Sequence, residues 1–339
     1  MKRLLSVLFV FAFVLGVSIN GNCAEGDLSV SGFLSADVGY SNMSNEDGTN
    51  DESSDVFVYG FGLELTAGIV ENVKGDVIFL YEEGAGEADI YGLIDAAYLT
   101  CQKGITYAKL GKIYLPFADA GTSFLVDPYT LSIGETRAST AVLGVEASIV
   151  TFEVGAFNGD SDKIGKDDKI DDIFAALTVT PVSGDDLTIA IKAEYLSDIT
   201  ETFGLFESFV DADGVATGYA DRSGAYCASL NVKAKTGALL VEYVTAEDDM
   251  TDMAGAKPQA LNVEVTTTVV DDFMFGIKYE DSDEFTTLVD GGDSDIQRLG
   301  AIASYSLNDQ ATVALEYLND KDSTGNSTDT VTAHLGLDF

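Results

Sequence analysis

Seven basic side chains, Lys74, Lys109, Lys192, Lys233, Lys278, Arg298 and His334, share one setting: each stands on the polar side of a segment whose alternate residues are apolar. Glu64, Asp76, Asp95, Glu146, Glu153, Glu194, Glu242, Glu264 and Glu316 stand on the same side of similar segments. Such groups can serve acid–base catalysis, metal binding or the electrostatic steering of solutes. Catalysis has little support, because His334 is the sole histidine and no nucleophile motif accompanies it. One histidine with Cys101 and Cys227 cannot assemble the usual zinc sites, so no metal and no other cofactor is expected. Steering remains. Opposite charges across a narrow aqueous gap make a transverse field that orients polar solutes. It requires a water-filled interior, since so many ionisable groups would be prohibitive in a packed core unless paired.

The elements that must position these groups follow from the alternation. Read at a period of two residues, the chain breaks into about sixteen strand candidates. They lie near 27–40, 55–69, 73–82, 89–100, 104–113, 139–150, 151–158, 172–180, 186–197, 222–235, 238–246, 259–270, 272–280, 295–307, 310–318 and 329–339. In "DVFVYGFGLELTAG" Phe57, Tyr59, Phe61, Leu63 and Leu65 share one side; in "ATVALEYL" Val313, Leu315 and Tyr317 oppose Thr312 and Glu316. The connections alternate long and short, the long ones near 41–54, 83–88, 114–138, 159–171, 198–221, 247–258, 281–294 and 319–328. That order predicts an all-β, antiparallel up-and-down transmembrane barrel, with large loops on one rim and tight turns on the other. Tyr40, Tyr81, Tyr195, Tyr243, Tyr279 and Tyr317 fall on the apolar face beside long loops, as an aromatic girdle at a membrane interface requires. A soluble β-sandwich or secreted acidic β-protein is the competing fold, and it would not favour the strict long–short order.

Composition narrows the setting. Lys2 and Arg3 precede an apolar run from Leu4 to Val17 and small residues to Ala24, the pattern of a signal peptide over residues 1–24. Residues 25–339 then form one exported domain destined for the bacterial outer membrane, with no run long enough for a membrane helix. The chain is 46% hydrophobic with 34 glycines, 15 tyrosines, four prolines and no tryptophan, and its apolar content is dispersed. A formal charge of −39 excludes nucleic acid as a partner, because binding there needs a cationic surface. The end, "TDTVTAHLGLDF", places Leu335, Leu337 and Phe339 on one face of a closing strand. It resembles the C-terminal signature of outer-membrane barrels that the assembly machinery reads. Outer-membrane lipid and that machinery are therefore expected partners, and a homotrimer is an assembly open to such a barrel.

The third long connection, "YLPFADAGTSFLVDPYTLSIGETRAST", is the longest, and it mixes Phe117, Phe124, Leu125 and Leu131 with Asp119, Asp127, Glu135 and Arg137. Apolar residues in an outer loop need something to pack on, and the inner wall of the barrel is nearest. The runs "KLGKIYLPF", "DPYTLSIGETR" and "FNGD", from Lys109 to Asp160, resemble the LbtU-like siderophore porin family of outer-membrane barrels. Gly111, Lys112, Pro116, Phe117, Asp127, Pro128, Gly134, Glu135, Arg137, Asn158, Gly159 and Asp160 carry the similarity. It implies passage or binding of small solutes, with iron-chelate uptake as the named activity. The loop's ordinal place is that of the loop that folds inward in sixteen-stranded general porins. Candidate constriction residues are accordingly Lys109, Lys112, Asp119, Asp127, Glu135, Arg137, Lys192, Lys278 and Arg298; an external lid is the alternative for the loop.

The remaining loops are acidic: residues 280–295 hold seven carboxylates and no base. Divalent cations would associate loosely there, and a negative mouth concentrates cations. The expected function is passive or facilitated diffusion of small solutes or iron chelates through an outer-membrane channel, without enzymatic activity. A structural or adhesive barrel without transport is the alternative, and single-channel conductance separates the two.

Overall fold

The computed structural model describes residues 26–82, 94–159, 170–206, 223–250, 256–270, 272–285 and 295–339. The signal segment 1–24, the connection 83–88, Asp160 and much of the predicted loops 159–171, 198–221 and 281–294 lie outside the described residues. Sixteen antiparallel strands form a closed barrel in sequence order. They are β1 (Leu28–Ser44), β2 (Asn50–Val70), β3 (Val73–Glu82), β4 (Ile94–Lys103), β5 (Thr106–Tyr114), β6 (Arg137–Ala147), β7 (Val150–Asn158) and β8 (Asp172–Ser183). They continue with β9 (Leu187–Leu196), β10 (Ala225–Ala234), β11 (Gly237–Ala246), β12 (Gln259–Val270), β13 (Phe273–Asp283), β14 (Ile296–Asn308), β15 (Ala311–Asp322) and β16 (Ser327–Asp338). Short helices α1 (Tyr129–Gly134) and α2 (Phe203–Phe206) and a single turn of 3₁₀ helix (Ile199–Glu201) lie in long connections.

The period-two pattern fixes which face each residue takes. Leu110, Leu143, Leu299 and Leu315 point outward and stay exposed, forming the apolar belt a bilayer covers. Tyr40, Tyr81, Tyr243 and Tyr317 are exposed on that face, and the Tyr243 and Tyr317 hydroxyls donate to Gln259 and Asp329, each at 2.6 Å. An apolar ring with a hydroxyl reaching polar partners is what an interfacial residue needs. Tight turns close the other rim. Asn72, Ser148 and Asp272 adopt positive φ there (67°, 52° and 68°), the left-handed conformation that two-residue hairpins impose.

Two features depart from the expected pattern. The first and last long connections shrink to residues 45–49 and 323–326, because β1, β2, β15 and β16 run on as hairpins beyond the apolar belt. In water neither face must be apolar, so the alternation fades while the ladder continues. The tips are tied locally: Asp47 accepts from the N–H (2.9 Å) and hydroxyl (2.6 Å) of Thr49, which hold its carboxyl below the usual range. Asp322 accepts from the N–H groups of Thr324 (3.0 Å) and Asn326 (2.8 Å), so turn donors occupy the carboxylate of the "DKDSTGNSTD" loop. The second departure is a bulge in β2 between the pairs Ser35–Gly60 and Asp37–Phe57. Paired residues share a face. Phe57 therefore joins Asp37 inside, while Val56 is 73% exposed outside, contrary to the strict alternation read through Phe57 and Phe61.

The packed core lies inside the barrel at its loop side. Leu115, Phe117 and Ile133, from the connection between β5 and β6, pack with Phe157, Phe174, Leu196, Ile199, Leu205, Val244, Met250 and Phe285. Burial of each large side chain contributes about 1.5–3 kcal/mol. This core holds the long connections inward.

The barrel closes where β16 meets β1. Leu335 and Leu337 pair with Ala36 and Leu34 on the outward face, and His334 Nδ1 lies 2.6 Å from Asp37 on the inner one. Gly32 and Phe339 exchange backbone hydrogen bonds of 2.9 and 3.0 Å, and the Phe339 ring lies so close over Gly32 that a Cβ there would come within 2.7 Å of it. Deleting Phe339, or replacing it with Asp, should leave much of the protein in the periplasm. Membrane fractionation with heat-modifiability on gels reads this directly, and normal insertion of the deletion variant would count against an assembly role for the terminal strand.

Candidate functional site

A connection that enters a barrel carries its own main chain into a confined space, and every buried N–H and C=O there needs a partner. The third connection, residues 115–136 and here termed L3, meets this demand through the wall. The N–H of Ala118 donates to Glu194 Oε2 on β9 (2.9 Å), and that of Ala120 to Glu242 Oε1 on β11 (3.1 Å). On β12, Glu264 accepts from the Ser123 N–H (2.9 Å) and the Thr122 hydroxyl (2.6 Å). The Leu125 N–H donates to Glu316 on β15 and the Tyr129 N–H to Glu280 on β13, both at 2.7 Å. The Thr130 hydroxyl returns to the second oxygen of Glu242 at 2.6 Å. Carboxylates suit the task because they only accept and offer two oxygens each.

Wall cations take the loop's other end of the peptide dipole. Lys278 Nζ donates to the Val126 carbonyl (3.1 Å), pairs with Glu280 (2.7 Å) and lies 4.8 Å from the Phe124 ring centroid. Arg298 donates to the Asp127 carbonyl (3.4 Å), grips Asp320 with two bonds of 2.7 and 3.0 Å, and stacks 4.3 Å over Tyr129. Burial raises the Tyr129 hydroxyl above its ordinary pKa, with Arg298 opposing the shift. Hydrogen bonds to charged groups contribute about 1.5–3 kcal/mol each, so L3 is fastened at many points rather than draped. The fit is close elsewhere too. Ala118 holds a left-handed φ of 52°, and a Cβ on Gly134 would fall 2.2 Å from its methyl.

The candidate residues separate into groups. Asp119 and Lys192 meet as an ion pair at the loop's exposed edge. Lys278 and Arg298 lie beneath L3 rather than in open water. Asp127 and Glu135 contribute main-chain groups, Glu135 accepting from the Phe203 N–H at 2.8 Å. Arg137 pairs with Asp95 and lies near the rings of Tyr114 (5.7 Å) and Phe203 (4.9 Å), at the loop-side end of β6. Lys109 pairs with Glu153 at 2.9 Å, a wall-to-wall contact that does not involve L3. In the β4–β5 register Lys112 stands beside Ala97, on the face opposite Lys109, so it does not share the lumenal face. Glu280 and Asp320 were missed. Glu280 ends the strand candidate 272–280 and also begins the acidic run, and Asp320 falls in the expected loop 319–328; β13 and β15 extend through them.

Four of the nine inward acids, together with Glu280, therefore have a different role from the one expected. Glu194, Glu242, Glu264, Glu280 and Glu316 are buried acceptors for L3 and not solvated lumen groups. Converting Glu242 and Glu264 together to Gln keeps size but replaces an acceptor oxygen in each with an NH₂ that faces loop donors. This double variant should still fold as a heat-modifiable barrel, with a larger and noisier single-channel current. A current identical in size and noise to the native one would show that these carboxylates do not hold the loop.

The chain matches the family model described as Gram-negative porin over residues 12–325. No curated protein sequence shows a significant match. Its fold is similar to the outer membrane channel DcaP of Acinetobacter baumannii (TM-score 0.65, 14% identity, covering 95% of this chain and 100% of that one). It is also similar to an anion-selective porin from Comamonas acidovorans (TM-score 0.61, 13% identity, 93% and 100% covered). A loop L8 deletion mutant of OmpT, an outer membrane protein of Vibrio cholerae, is a further match (TM-score 0.62, 15% identity, 92% and 100% covered). At such identities the shared property is the fold; the family match, which spans most of the sequence, identifies the chain as a Gram-negative porin, a channel protein of the bacterial outer membrane.

Proposed function

We propose that this porin passes small hydrophilic solutes by passive diffusion, through the space between the edge of L3 and the opposite wall. The observation that carries the reading is the docking of L3 across β9 to β15, which leaves the inner faces of β1 to β4 and β16 without a hydrogen bond to L3 among the described residues. That side carries Asp37, Glu64 and Asp76 against Lys74 and His334. The L3 edge adds Asp119 and Asp127, with Lys192 paired to the first. Carboxylates outnumber cations on both banks, which supports a mild preference for cations. Salt of about 0.15 M screens exposed charges beyond roughly 8 Å, so the narrow region should set selectivity at high salt and the acidic mouth should add to it at low salt.

Iron-chelate uptake is the narrower version of the same reading and rests on the resemblance between Lys109 and Asp160. Several residues that carry it have structural duties: Phe117 is in the core, Gly134 accommodates Ala118, and Gly111 has no room for a Cβ beside the Ala97 carbonyl. Those duties favour the broader solute class.

Removing most of residues 117–134 should enlarge single-channel conductance severalfold while the barrel stays folded. Reversal potentials in asymmetric salt should show cation preference that strengthens as salt falls. Unchanged conductance in the deletion would end the assignment of L3 as the constriction.

A further inference from the structure

The lumenal cations of the strands are almost all matched. Lys74 pairs with Asp76, Lys109 with Glu153, Lys192 with Asp119, Lys278 with Glu280, Arg298 with Asp320 and His334 with Asp37. Lys233 is different. It is exposed on the inner face of β10, one residue from the strand's short-turn end, and no carboxylate among the described residues lies within ion-pair distance. Its neighbours in register are Thr188 and Ala238, and Thr266 follows on β12, so the row is neutral across four strands.

Lys233 also lines a recess of about 130 Å³ between residues 120–123 of L3 and strands β10 to β12. Asn231, Ser123 and Thr266 bring polar groups to it, and Leu240 and Ala238 provide an apolar floor. The one acid in its lining, Glu264, is already engaged. Its Oε1 accepts from Thr122 (2.6 Å) and Asn262 (3.1 Å), and its Oε2 from the Ser123 N–H (2.9 Å). A chain with a charge of −39 thus keeps an ammonium with no carboxylate partner among the described residues, beside a small, half-apolar hollow on the short-turn side of L3.

We propose that this recess binds a short-chain carboxylate, with the carboxylate on Lys233 and the alkyl group on Leu240 and Ala238. A charge-assisted hydrogen bond provides the attraction, and the confined hollow provides selection over a bulk inorganic anion. The site lies where a solute leaves L3 for the short-turn rim, and it rests on the diffusion reading for its role as a solute subsite. Cations would still dominate bulk current, because a single lysine is outnumbered at the mouth and along both banks.

The test uses the full detergent-folded chain and isotopically labelled butyrate in equilibrium dialysis, with n-butylammonium as the cationic counterpart. Butyrate should bind and n-butylammonium should not. Lys233→Gln should weaken butyrate binding at least about tenfold while Lys233→Arg retains it. Ala238→Phe, which fills the hollow and leaves every charge in place, should weaken binding as much. Equal binding by the native chain and either weakening variant would overturn the proposal, as would sensitivity to Lys233→Gln without sensitivity to Ala238→Phe, which would mean a bare surface charge. Bilayer conductance on the same samples separates the two readings: butyrate binding without current overturns diffusion and leaves the recess, and current without binding does the reverse.

Discussion

A peptide chain that crosses the inside of a barrel is stable only if something fixed accepts its N–H groups. Here that acceptor is the row of glutamates that β9, β11, β12, β13 and β15 present inward, and most of the interior depends on it. The row determines where L3 lies, because the donors at Ala118, Ala120, Ser123, Leu125 and Tyr129 each meet a separate strand. Lys278 and Arg298 complete the match by taking carbonyls. Buried carboxylates would be costly alone; each is stabilised by the donors it receives. Loop and wall therefore require one another.

This arrangement divides the interior. Beneath L3 the glutamates, Lys278 and Arg298 are consumed in docking, and toward the loop rim Phe117, Ile133, Phe157 and Phe174 make an apolar core. Across from L3 the acids Asp76 and Asp37 are buried as well, but they pair with cations of the wall, Asp76 with Lys74 and Asp37 with His334. One set of inward charges thus holds L3, and another is paired within the wall across from it. Their total, read from composition, says nothing about this partition.

Much of the architecture was legible because lipid outside and water inside impose a strict alternation. The strands that cross the apolar belt obey it, and so does the closing segment through Leu335 and Leu337. Legibility failed where that constraint lapses. The β1–β2 and β15–β16 hairpins stand in water on both faces, and a single bulge moved Phe57 to the inside. Lys112 entered the candidates although alternation from Lys109, three residues before it, puts it on the other face, and the register to Ala97 and Ser139 agrees with the alternation. The inward position of Glu242 or Glu264 could be read from alternation, but not that a residue some 120 to 140 positions earlier would occupy its oxygens. A rule of accounting could have raised the question, because a long apolar loop inside a wall needs acceptors and the inner face supplied acids at neighbouring strands. Glu280 stood at the junction of a strand candidate and an acidic run, so its inward role did not stand out.

The most direct test of loop docking uses the cysteine beneath it. Cys227 is 3% exposed, with its sulfur 3.8 Å from Glu242 Oε1, whereas Cys101 is exposed and would be removed as Cys101→Ser. The measurement is the rate at which a charged, membrane-impermeant methanethiosulfonate labels Cys227 in the folded porin. If glutamates hold L3 over this wall, labelling should be slow in the native loop and at least about tenfold faster once Glu242 and Glu264 are both Gln. Fast labelling of the native protein, at the same rate as in the double variant, would contradict the docked loop at the centre of this account.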